Sequence, residues 1–275
     1  MLKKLLNTRD RLLVPGVYDA LSAKIAVQAG FESLYMSGFA VAGSLLGRPD
    51  IDLVTACEMT ERAQQIVAAA DGVPVIADGD NGYGGEHNVA RLVQGYEAAG
   101  VQCIQLEDQV SPKRCGHMEN KQVVPLEEAV SKILAAVSSR ASDEFLVMAR
   151  TDARATHDLD EAIQRCQAFL EAGADILFIE APRTVAEMEQ VKSAFGDVPL
   201  VANMVEDGKT PDLSAEELVK LGYQIILRPV SALLAASKSL QLSYTALYES
   251  SSLDKGQPRL SFSEFNDLVG LGDAT

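Results

Sequence analysis

The sequence predicts an α/β fold of the (β/α)8 TIM-barrel type, on three observations. Short apolar or β-branched runs recur at spacings of roughly 25 to 40 residues, which is the rhythm of βαβ units. Amphipathic stretches separate these runs. The first run is not followed by the Gly-rich fingerprint that is typical of a doubly wound sheet. At 275 residues, the chain has a length at which such barrels often form one unit.

Eight runs are predicted to be the strands of this barrel, and each is short and mostly apolar. They are residues 11–14, 33–37, 74–77, 103–106, 145–149, 176–179, 200–202 and 225–227. Helices are predicted between them, at residues 87–99, 126–138, 159–172 and 214–221 among others. Ser214 followed by Glu217 has the spacing of a capping box, which indicates that a helix begins there.

The segment after the eighth strand is predicted to be helical. Residues 230–248 have the pattern of a long helix, residues 249–258 form a polar linker, and a short apolar helix follows from Ser261. We therefore expect residues 1–230 to form the barrel and residues 231–275 to form a helical extension. Because its apolar side chains must be buried somewhere, we expect the extension to pack on a neighbouring subunit.

Composition indicates a soluble globular protein, with 47% hydrophobic and 23% charged residues. No apolar run approaches the roughly 18 residues that a membrane-spanning helix needs. The first ten residues are basic, but charges interrupt them before a signal-peptide core could form. Cys103 and Cys166 lie in apolar patterns and are expected to be reduced core residues. We expect a cytoplasmic protein.

The formal net charge of −15 limits the partners that this chain could bind. Nucleic acids and anionic membranes are disfavoured as partners, because both require a basic face. A small anionic substrate would also be repelled by the overall field. A site for such a substrate would therefore need local cations or a bound metal.

Polar residues follow the predicted strands at the end where barrel enzymes build their active sites. Charged or hydrogen-bonding groups stand at this end of six strands, whereas charges are rare inside the strands. They are Tyr35, Ser37, Gly38, Asp78, Asp80, Glu107, Arg150, Glu180 and Asn203. This repeated placement indicates a functional site built from several strand ends.

Three of these carboxylates predict a site for a hard divalent cation. Asp78 and Asp80 alternate along an extended segment, so both side chains point to one side. Glu107 follows the adjacent strand and completes an all-oxygen cluster. Mg²⁺ suits such ligands, and Mn²⁺ would fit the same set. Zinc is disfavoured, because His and Cys do not stand beside these residues at zinc-binding spacing.

The loop after the fourth strand predicts a reactive thiol. It carries Lys113, Arg114, Cys115 and His117 within a few residues. Nearby cations lower the pKa of a thiol, and they also hold an anionic substrate.

Several motifs together resemble the signature of the isocitrate lyase and phosphoenolpyruvate mutase superfamily. The similarity extends along nearly the whole chain, at residues 18–23, 46–50, 78–80, 107–109, 113–117, 149–153 and 202–204. The resemblance implies a (β/α)8 barrel whose last helix is exchanged between subunits of a tetramer built from dimers. It also implies that Mg²⁺ binds at Asp78, directly or through water, with Asp50, Asp80 and Glu107 around it.

The resemblance further implies carbon–carbon cleavage of a 2-hydroxy acid by a retro-aldol reaction, which yields a 2-oxoacid and a carboxylate. Cys115 would protonate the enolate product, and closure of loop 110–121 would exclude water. Tyr35 or Glu180 would take the hydroxyl proton, and Arg150 with the backbone amides of Ser37 and Gly38 would bind substrate carboxylates. The remaining expected site residues are Lys113 and His117 in catalysis, and Phe39, Arg114, Gly116, Asn203, Val205 and Pro229 in substrate binding.

Some positions depart from the pattern of the methylisocitrate lyases. Phe39 stands where those enzymes have a Gly-rich run, Val205 replaces a hydroxyl residue, and Gln105 replaces a histidine that many relatives have. A bulky Phe39 and an apolar Val205 favour a substrate that is smaller or more apolar than a tricarboxylate. The chain more closely resembles the 2,3-dimethylmalate lyase and carboxyphosphonoenolpyruvate mutase branch. The leading hypothesis is a lyase for an alkyl-substituted malate.

Four alternatives stay open from the sequence. The first is 2-methylisocitrate lyase activity, and the second is oxaloacetate hydrolysis or decarboxylation at the same metal site. Pro229 disfavours the second, because some plant hydrolase relatives have a hydroxyl residue there. The third is a phosphonomutase of the carboxyphosphonoenolpyruvate type. The fourth, from a different class, is a non-catalytic binder of small acids.

Overall fold

The computed structural model describes residues 1–116, 120–253 and 256–273. It contains eight strands in the predicted positions, each within a few residues of the expected bounds. They are β1 (Leu12–Val17), β2 (Leu34–Met36), β3 (Val75–Asp78), β4 (Cys103–Glu107), β5 (Leu146–Thr151), β6 (Ile176–Ile179), β7 (Val201–Asn203) and β8 (Ile225–Arg228).

The strands form one parallel sheet that curls into a nearly closed barrel. The order is β6-β5-β4-β3-β2-β1-β8-β7, and every neighbouring pair is parallel. A parallel bridge between Leu177 and Leu200 links the two ends of this order. The predicted (β/α)8 architecture is confirmed.

Helices cover the outside of the barrel, and the six helical segments predicted by position are present. The helices are α1 (Leu2–Thr8), α2 (Ala20–Gln28), α3 (Gly38–Leu46), α4 (Ala56–Ala69), α5 (Glu86–Ala98), α6 (Leu126–Ser139), α7 (Ala153–Thr156), α8 (Leu159–Glu171), α9 (Val185–Phe195), α10 (Ala215–Lys220), α11 (Ser231–Ser250) and α12 (Phe262–Leu268). Ser214 and Glu217 form the predicted capping box at the start of α10. None of the helices in the described ranges is long and apolar enough to span a membrane.

Two apolar cores stabilise the barrel. The outer core lies between the strands and the surrounding helices, and Cys166 belongs to it. The inner core fills the barrel itself with side chains such as Ile76, Cys103 and Ile225, all fully buried. Burial of apolar surface is the dominant favourable term in folding, so both layers hold the strands in position. Both cysteines are buried, as predicted.

Helix α1 closes the amino-terminal end of the barrel, a role that the sequence analysis did not predict. Leu2 is fully buried in the inner core, and Leu5 and Leu6 pack beside it. The amide of Leu2 donates a hydrogen bond to Gln102 Oε1 at 2.8 Å, and Gln224 Nε2 donates to the carbonyl of Leu6 at 2.6 Å. These bonds fix the helix across the barrel floor.

The carboxyl-terminal helices leave a large apolar surface uncovered. Within the fully described helix α11 no residue is buried, and Tyr248 is 92% exposed. Phe262 at the start of α12 is 85% exposed. Exposed apolar patches of this kind mark interaction sites in soluble proteins. Helix α11 begins at Ser231. The division of the chain at residue 230 and the packing of residues 231–275 on a neighbouring subunit stay predictions.

Candidate active site

A cavity of about 300 Å³ opens at the carboxyl ends of the strands. It is the end of the barrel at which the sequence analysis expected the site. Most of the expected residues line it: Tyr35, Ser37, Phe39, Asp50, Asp78, Glu107, Lys113, Arg114, Cys115, Gly116, Arg150, Asn203, Val205 and Pro229. Five further lining residues were not anticipated, namely Phe178, Glu206, Leu227, Val230 and Leu234.

Asp78 is held at the end of β3 by three hydrogen bonds. Its Oδ1 accepts from the amide of Asp80 at 3.0 Å and from Gln105 Nε2 at 3.1 Å, while Oδ2 accepts from the amide of Gly38 at 3.2 Å. Burial, with Asp80 nearby, raises the pKa of Asp78 to about 6. The Asp78 side chain is therefore held in one orientation, and its ionised form is electrostatically unfavourable.

The side chain of Tyr35 is engaged by the same group of residues. Its hydroxyl donates to Gln105 Oε1 at 2.9 Å, so Gln105 joins Tyr35 to Asp78. Burial raises the pKa of Tyr35 well above its usual value, and the charge of Asp78 adds to this shift. A phenol in this environment keeps its proton, which makes Tyr35 a poor proton acceptor.

The backbone amides of Ser37 and Gly38 serve the fold instead of an open anion site. Ser37 donates to the carbonyl of Val17 at 3.2 Å, and Gly38 donates to Asp78. Both amides thus have partners within the protein in this structure, and their binding of a substrate carboxylate stays a prediction. The Ser37 side chain, which borders the cavity, caps α3 by accepting from the amide of Ala40.

Lys113 inserts its ammonium between two of the expected metal-site carboxylates. Its Nζ lies 2.5 Å from Asp50 Oδ1 and 2.5 Å from Asp80 Oδ1. Burial alone would lower the pKa of Lys113, but the neighbouring carboxylates raise it well above its usual value. Tyr83 donates to the other oxygen of Asp80 at 2.5 Å. A cation is thus already favoured at this position.

Glu107 at the end of β4 has one oxygen without a partner. Its Oε2 lies 3.3 Å from Arg150 Nε, whereas Oε1 is buried and accepts no hydrogen bond from the described residues. Burial raises the pKa of Glu107 well above its usual value, although Arg150 partly opposes the shift. A buried carboxylate oxygen in this state is a suitable ligand for a metal or an acceptor for a bound hydroxyl.

Arg150 is the central cation of the site. It contacts Glu107 and Glu180, and its guanidinium lies 5.0 Å from the centre of the Phe178 ring. It also makes a two-point contact with Asp152, from Nε at 2.9 Å and Nη2 at 3.3 Å. These contacts hold the guanidinium at the cavity wall, where it can attract a substrate carboxylate.

Glu180 and Asn203 form a pair at the ends of β6 and β7. Asn203 Nδ2 donates to both oxygens of Glu180, at 3.3 and 3.2 Å. Glu180 is fully buried and does not line the cavity, whereas Asn203 does. Asn203 Oδ1 is buried and has no partner among the described residues, so it offers an acceptor to a bound molecule.

The loop after β4 brings Cys115 to the cavity. The side chain of Gln109 holds the backbone of Arg114 at both its amide and its carbonyl, at 3.1 and 2.8 Å. Cys115 is partly exposed and lines the cavity beside Gly116. His117, which the sequence analysis expected in catalysis, lies outside the described residues.

The part of the cavity lined by α3, by the segments after β7 and β8 and by the start of α11 is mainly apolar, with Glu206 as its charged residue. Phe39 and Val205 border it as expected, and Pro229 lies nearby on the segment after β8. Val230 and Leu234 extend this wall from the start of α11. The cavity thus has one mainly charged side and one mainly apolar side, which is the form expected of a site for an acid with alkyl substituents.

The residues on the charged side fit Mg²⁺ bound through few protein oxygens. Among the described residues, buried carboxylates outnumber buried cations around the cavity, and one oxygen of Glu107 has no hydrogen-bond partner. In the described part of the chain, however, no three His, Cys, Asp or Glu side chains are close enough to enclose an ion together. Mg²⁺ commonly takes one or two carboxylates and completes its shell with water and substrate oxygens, which this arrangement permits.

These features define a (β/α)8-barrel enzyme in which a carboxylate cluster and a cysteine-bearing loop face one cavity at the carboxyl ends of the strands. The family model described as phosphoenolpyruvate phosphomutase matches residues 2–247. The chain belongs to this family.

Two curated relatives are similar over most of their length. A 2,3-dimethylmalate lyase of Eubacterium barkeri is 47% identical over 271 residues, which cover 98% of this chain and 93% of the relative. A 2-methylisocitrate lyase of Bacillus subtilis (strain 168) is 41% identical over 254 residues, or 92% of this chain and 83% of the relative.

Solved structures agree with this assignment. A crystal structure of 2,3-dimethylmalate lyase superposes with a TM-score of 0.94 at 37% identity, covering 99% of this chain and 91% of that chain. Oxaloacetate acetylhydrolase in complex with 3,3-difluorooxalacetate gives 0.95 at 36% identity, with 99% and 93% covered. Phosphonopyruvate hydrolase in complex with oxalate and Mg²⁺ gives 0.88 at 30% identity, with 99% and 95% covered.

Proposed function

We propose that this protein is a Mg²⁺-dependent carbon–carbon lyase that cleaves an alkyl-substituted malate, such as 2,3-dimethylmalate or a 2-methylisocitrate-like acid. The observation that carries the proposal is the two-sided cavity. Its charged side can bind the carboxylates, its apolar side can bind alkyl groups, and Cys115 lies at its edge. The 47% identity to a 2,3-dimethylmalate lyase supports the same substrate class.

Asp78 is the proposed metal-binding carboxylate, with Asp50, Asp80 and Glu107 around it. Two observations support this assignment. Glu107 Oε1 has no hydrogen-bond partner among the described residues, and the pKa of Asp78 is raised. Both carboxylates therefore lack sufficient positive charge beside them, which a bound cation would supply. Mg²⁺, when bound, would act as a Lewis acid towards substrate oxygens and lower the pKa of the 2-hydroxyl group. Mn²⁺ would fit the same oxygen ligands. The phosphonopyruvate hydrolase structure that contains Mg²⁺ supports a divalent cation.

The proposed reaction moves two protons. Removal of the 2-hydroxyl proton forms the carbonyl of a 2-oxoacid as the C2–C3 bond breaks, and the electron pair of that bond remains on the leaving carboxylate fragment as an enolate. Cys115 then donates its thiol proton to the enolate carbon. Arg150 would hold a substrate carboxylate, and Arg114 and Lys113 add positive charge on the loop side.

Glu180 is favoured over Tyr35 as the acceptor of the hydroxyl proton. The Tyr35 hydroxyl already donates a hydrogen bond to Gln105, and its pKa is raised. Glu180 is a carboxylate, and Asn203, which lines the cavity, contacts both of its oxygens. Asn203 therefore connects Glu180 to the cavity.

A coupled assay of 2-oxoacid release tests the proposal. The panel contains 2,3-dimethylmalate, 2-methylisocitrate, other alkylmalates and oxaloacetate, each with Mg²⁺ and with a chelator. We expect metal-dependent release of pyruvate or glyoxylate from a substituted malate, and loss of turnover on chelation. If the protein turned over oxaloacetate alone, the lyase proposal would be wrong.

Oxaloacetate hydrolysis is the second candidate function. The structural similarity to oxaloacetate acetylhydrolase supports it, as does the unpartnered Asn203 Oδ1, which could orient an attacking water. Oxalate and acetate would then be the products, and neither is a 2-oxoacid. Loss of oxaloacetate and formation of oxalate are therefore measured directly in the same panel, which separates the two reactions. The apolar Pro229 and Leu234 favour the lyase, because oxaloacetate has no alkyl branch to contact them.

We further propose that the protein is a tetramer built from dimers, in which residues 231–275 pack on a neighbouring subunit. The uncovered apolar side chains of α11 and α12 support this proposal. Light scattering of the wild-type protein should give a mass of four chains, and Phe262→Glu should reduce it. A monomeric wild type would contradict the proposal. A cytoplasmic setting is also proposed, since the four cysteines are free thiols and disulfides are rare in that compartment.

A further inference from the structure

We infer that Lys121 is a positioning residue, which holds the loop that carries Cys115 against the barrel through Asp152. Neither residue is among the expected site residues, and neither lines the cavity. The inference rests on the proposed function in one respect, namely that Cys115 is the proton donor.

Lys121 makes two contacts that join the loop to a strand. Its ammonium donates to the carbonyl oxygen of Gly116 and to Asp152 Oδ1. The Lys121 side chain is only 1% exposed and that of Asp152 is fully buried. Gly116 directly follows Cys115, so this single ammonium fixes the peptide next to the thiol.

Gly116 also packs closely against Arg150 and Glu180, two charged residues of the active site. A Cβ atom at this position would lie 2.3 Å from Arg150 Nη2 and 2.8 Å from Glu180 Oε1. Only a residue without a side chain allows this approach. The Gly116 peptide is thus held between the Lys121 ammonium on one side and the Arg150–Glu180 pair on the other.

Asp152 is a rigid anchor for this contact. Its carboxylate accepts from Arg150 Nε at 2.9 Å, and its amide donates to Asp108 Oδ1 at 2.9 Å. Asp108 in turn accepts from Thr151 Oγ1 at 2.6 Å and from Arg165 Nη1 at 3.2 Å. The anchor is therefore fixed by bonds within and behind the sheet.

The energetics make the contact dependent on loop position. A buried ammonium is tolerated only when it is paired and hydrogen-bonded, because its desolvation is costly. Among the described residues, Gly116 and Asp152 are the partners that meet this condition for the Lys121 ammonium. If the loop moved away, Asp152 would keep Arg150, whereas Lys121 would return to water. The contact therefore favours the arrangement in which Cys115 faces the cavity.

The test measures alkylation of Cys115 by iodoacetamide in the full-length protein, followed by mass spectrometry of each cysteine peptide. Cys57 is exposed and serves as the internal reference. In Lys121→Met, the plateau rate at Cys115 above the thiol pKa should rise on the order of tenfold, because local opening controls access to the thiol. The Cys57 rate should not change. Measuring across pH separates a change in access from a change in thiol pKa.

Two further variants make the result specific. Lys121→Arg keeps the charge and should restore most of the protection of Cys115. Lys132→Met removes another buried lysine, which bonds to the carbonyl of Asn81, and should leave the Cys115 rate unchanged. Equal Cys115 rates in wild type and Lys121→Met would overturn the inference, as would an equal increase in Lys132→Met.

Turnover provides a second measurement. In Lys121→Met, kcat should fall by about 10²-fold with a smaller change in KM, as expected when a reacting group is misplaced by about 1 Å. Failure of the proposed function is distinguishable, because the wild-type protein would then release no 2-oxoacid from any substituted malate in the presence of Mg²⁺. The alkylation result does not depend on that activity.

Discussion

The two ends of the barrel are built from the same eight strands but from opposite chemistry. At the amino-terminal end, Leu2 and the inner core form an apolar, fully packed plug. At the carboxyl end, seven buried carboxylates meet five buried cations in the described part of the chain: Asp50, Asp78, Asp80, Glu107, Asp108, Asp152 and Glu180 with Lys113, Lys121, Lys132, Arg150 and Arg165. One end supplies stability, and the other holds charge at the expense of stability, which is how barrel enzymes separate fold from function.

The largest expected effect is a fall in kcat without a loss of stability, and it is expected for a substitution at the charged end. Cys115→Ala should lower kcat by about 10²- to 10⁴-fold, the range for loss of a general acid. Its midpoint of thermal unfolding should stay close to wild type, because the side chain is partly exposed. Cys57→Ala, at an exposed position away from the cavity, is the control and should be fully active. A fully active Cys115→Ala would remove the thiol from the mechanism.

At the apolar end, a substitution is expected to lower stability and to leave kcat unchanged. Ile225→Ala removes a fully buried side chain from the inner core and should lower the free energy of unfolding by about 3 kcal/mol. Denaturant unfolding measures this loss. The kcat of the folded protein should not change, since Ile225 lies away from the cavity lining. A large fall in kcat would show that the two ends are coupled more closely than the comparison assumes.

A pH experiment sharpens the contrast at Asp78. Its pKa of about 6 lies above the value near 4 expected in the unfolded chain, so ionised Asp78 destabilises the metal-free fold. This cost is absent below about pH 4 and complete above about pH 6. Without metal, the free energy of unfolding of Asp78→Asn relative to wild type should therefore rise by about 2 kcal/mol between pH 4 and 8. A pH-independent difference would contradict this account.

The smallest effect is expected at the apolar wall of the cavity. Leu234→Ala should lower kcat/KM for an alkylmalate by roughly tenfold relative to oxaloacetate, because lost hydrocarbon contact changes discrimination by about 1–3 kcal/mol. Leu240→Ala, exposed on the same helix, is the matched control and should not alter the ratio. An unchanged ratio in Leu234→Ala would mean that the substrate does not reach this wall.

The apolar end and the strands were the more predictable part of the molecule. Strands that are buried on both faces have continuous apolar sequences, and all eight could be located from them. Carboxylates at the ends of such runs, including Asp78 and Glu107, stand out because they interrupt the pattern. Helix α1 was missed, since its lysines and short length conceal the burial of Leu2.

The contacts around the site were less predictable, because they join residues far apart in sequence. Nothing local distinguishes Leu234 from any other apolar residue of an amphipathic helix, and its place at the cavity follows from where α11 begins. The sequence did not indicate that Lys121 is buried, since a lysine in a polar loop is normally solvated. Its role depends on Asp152, a partner 31 positions away. The use of the Gly38 amide by Asp78 likewise depends on strand register.

The absence of a side chain at Gly116 offers a way to capture the enzyme before it reacts. Because a methyl group there would collide with Arg150 and Glu180, Gly116→Ala would favour the loop lifted from the barrel. In crystals of that variant, the entrance of the cavity would be wide enough for an intact acid to diffuse in. Cys115, the proposed proton donor, would be too far away to react with it. A substrate could then be seen bound but uncleaved, which the wild-type protein would not allow.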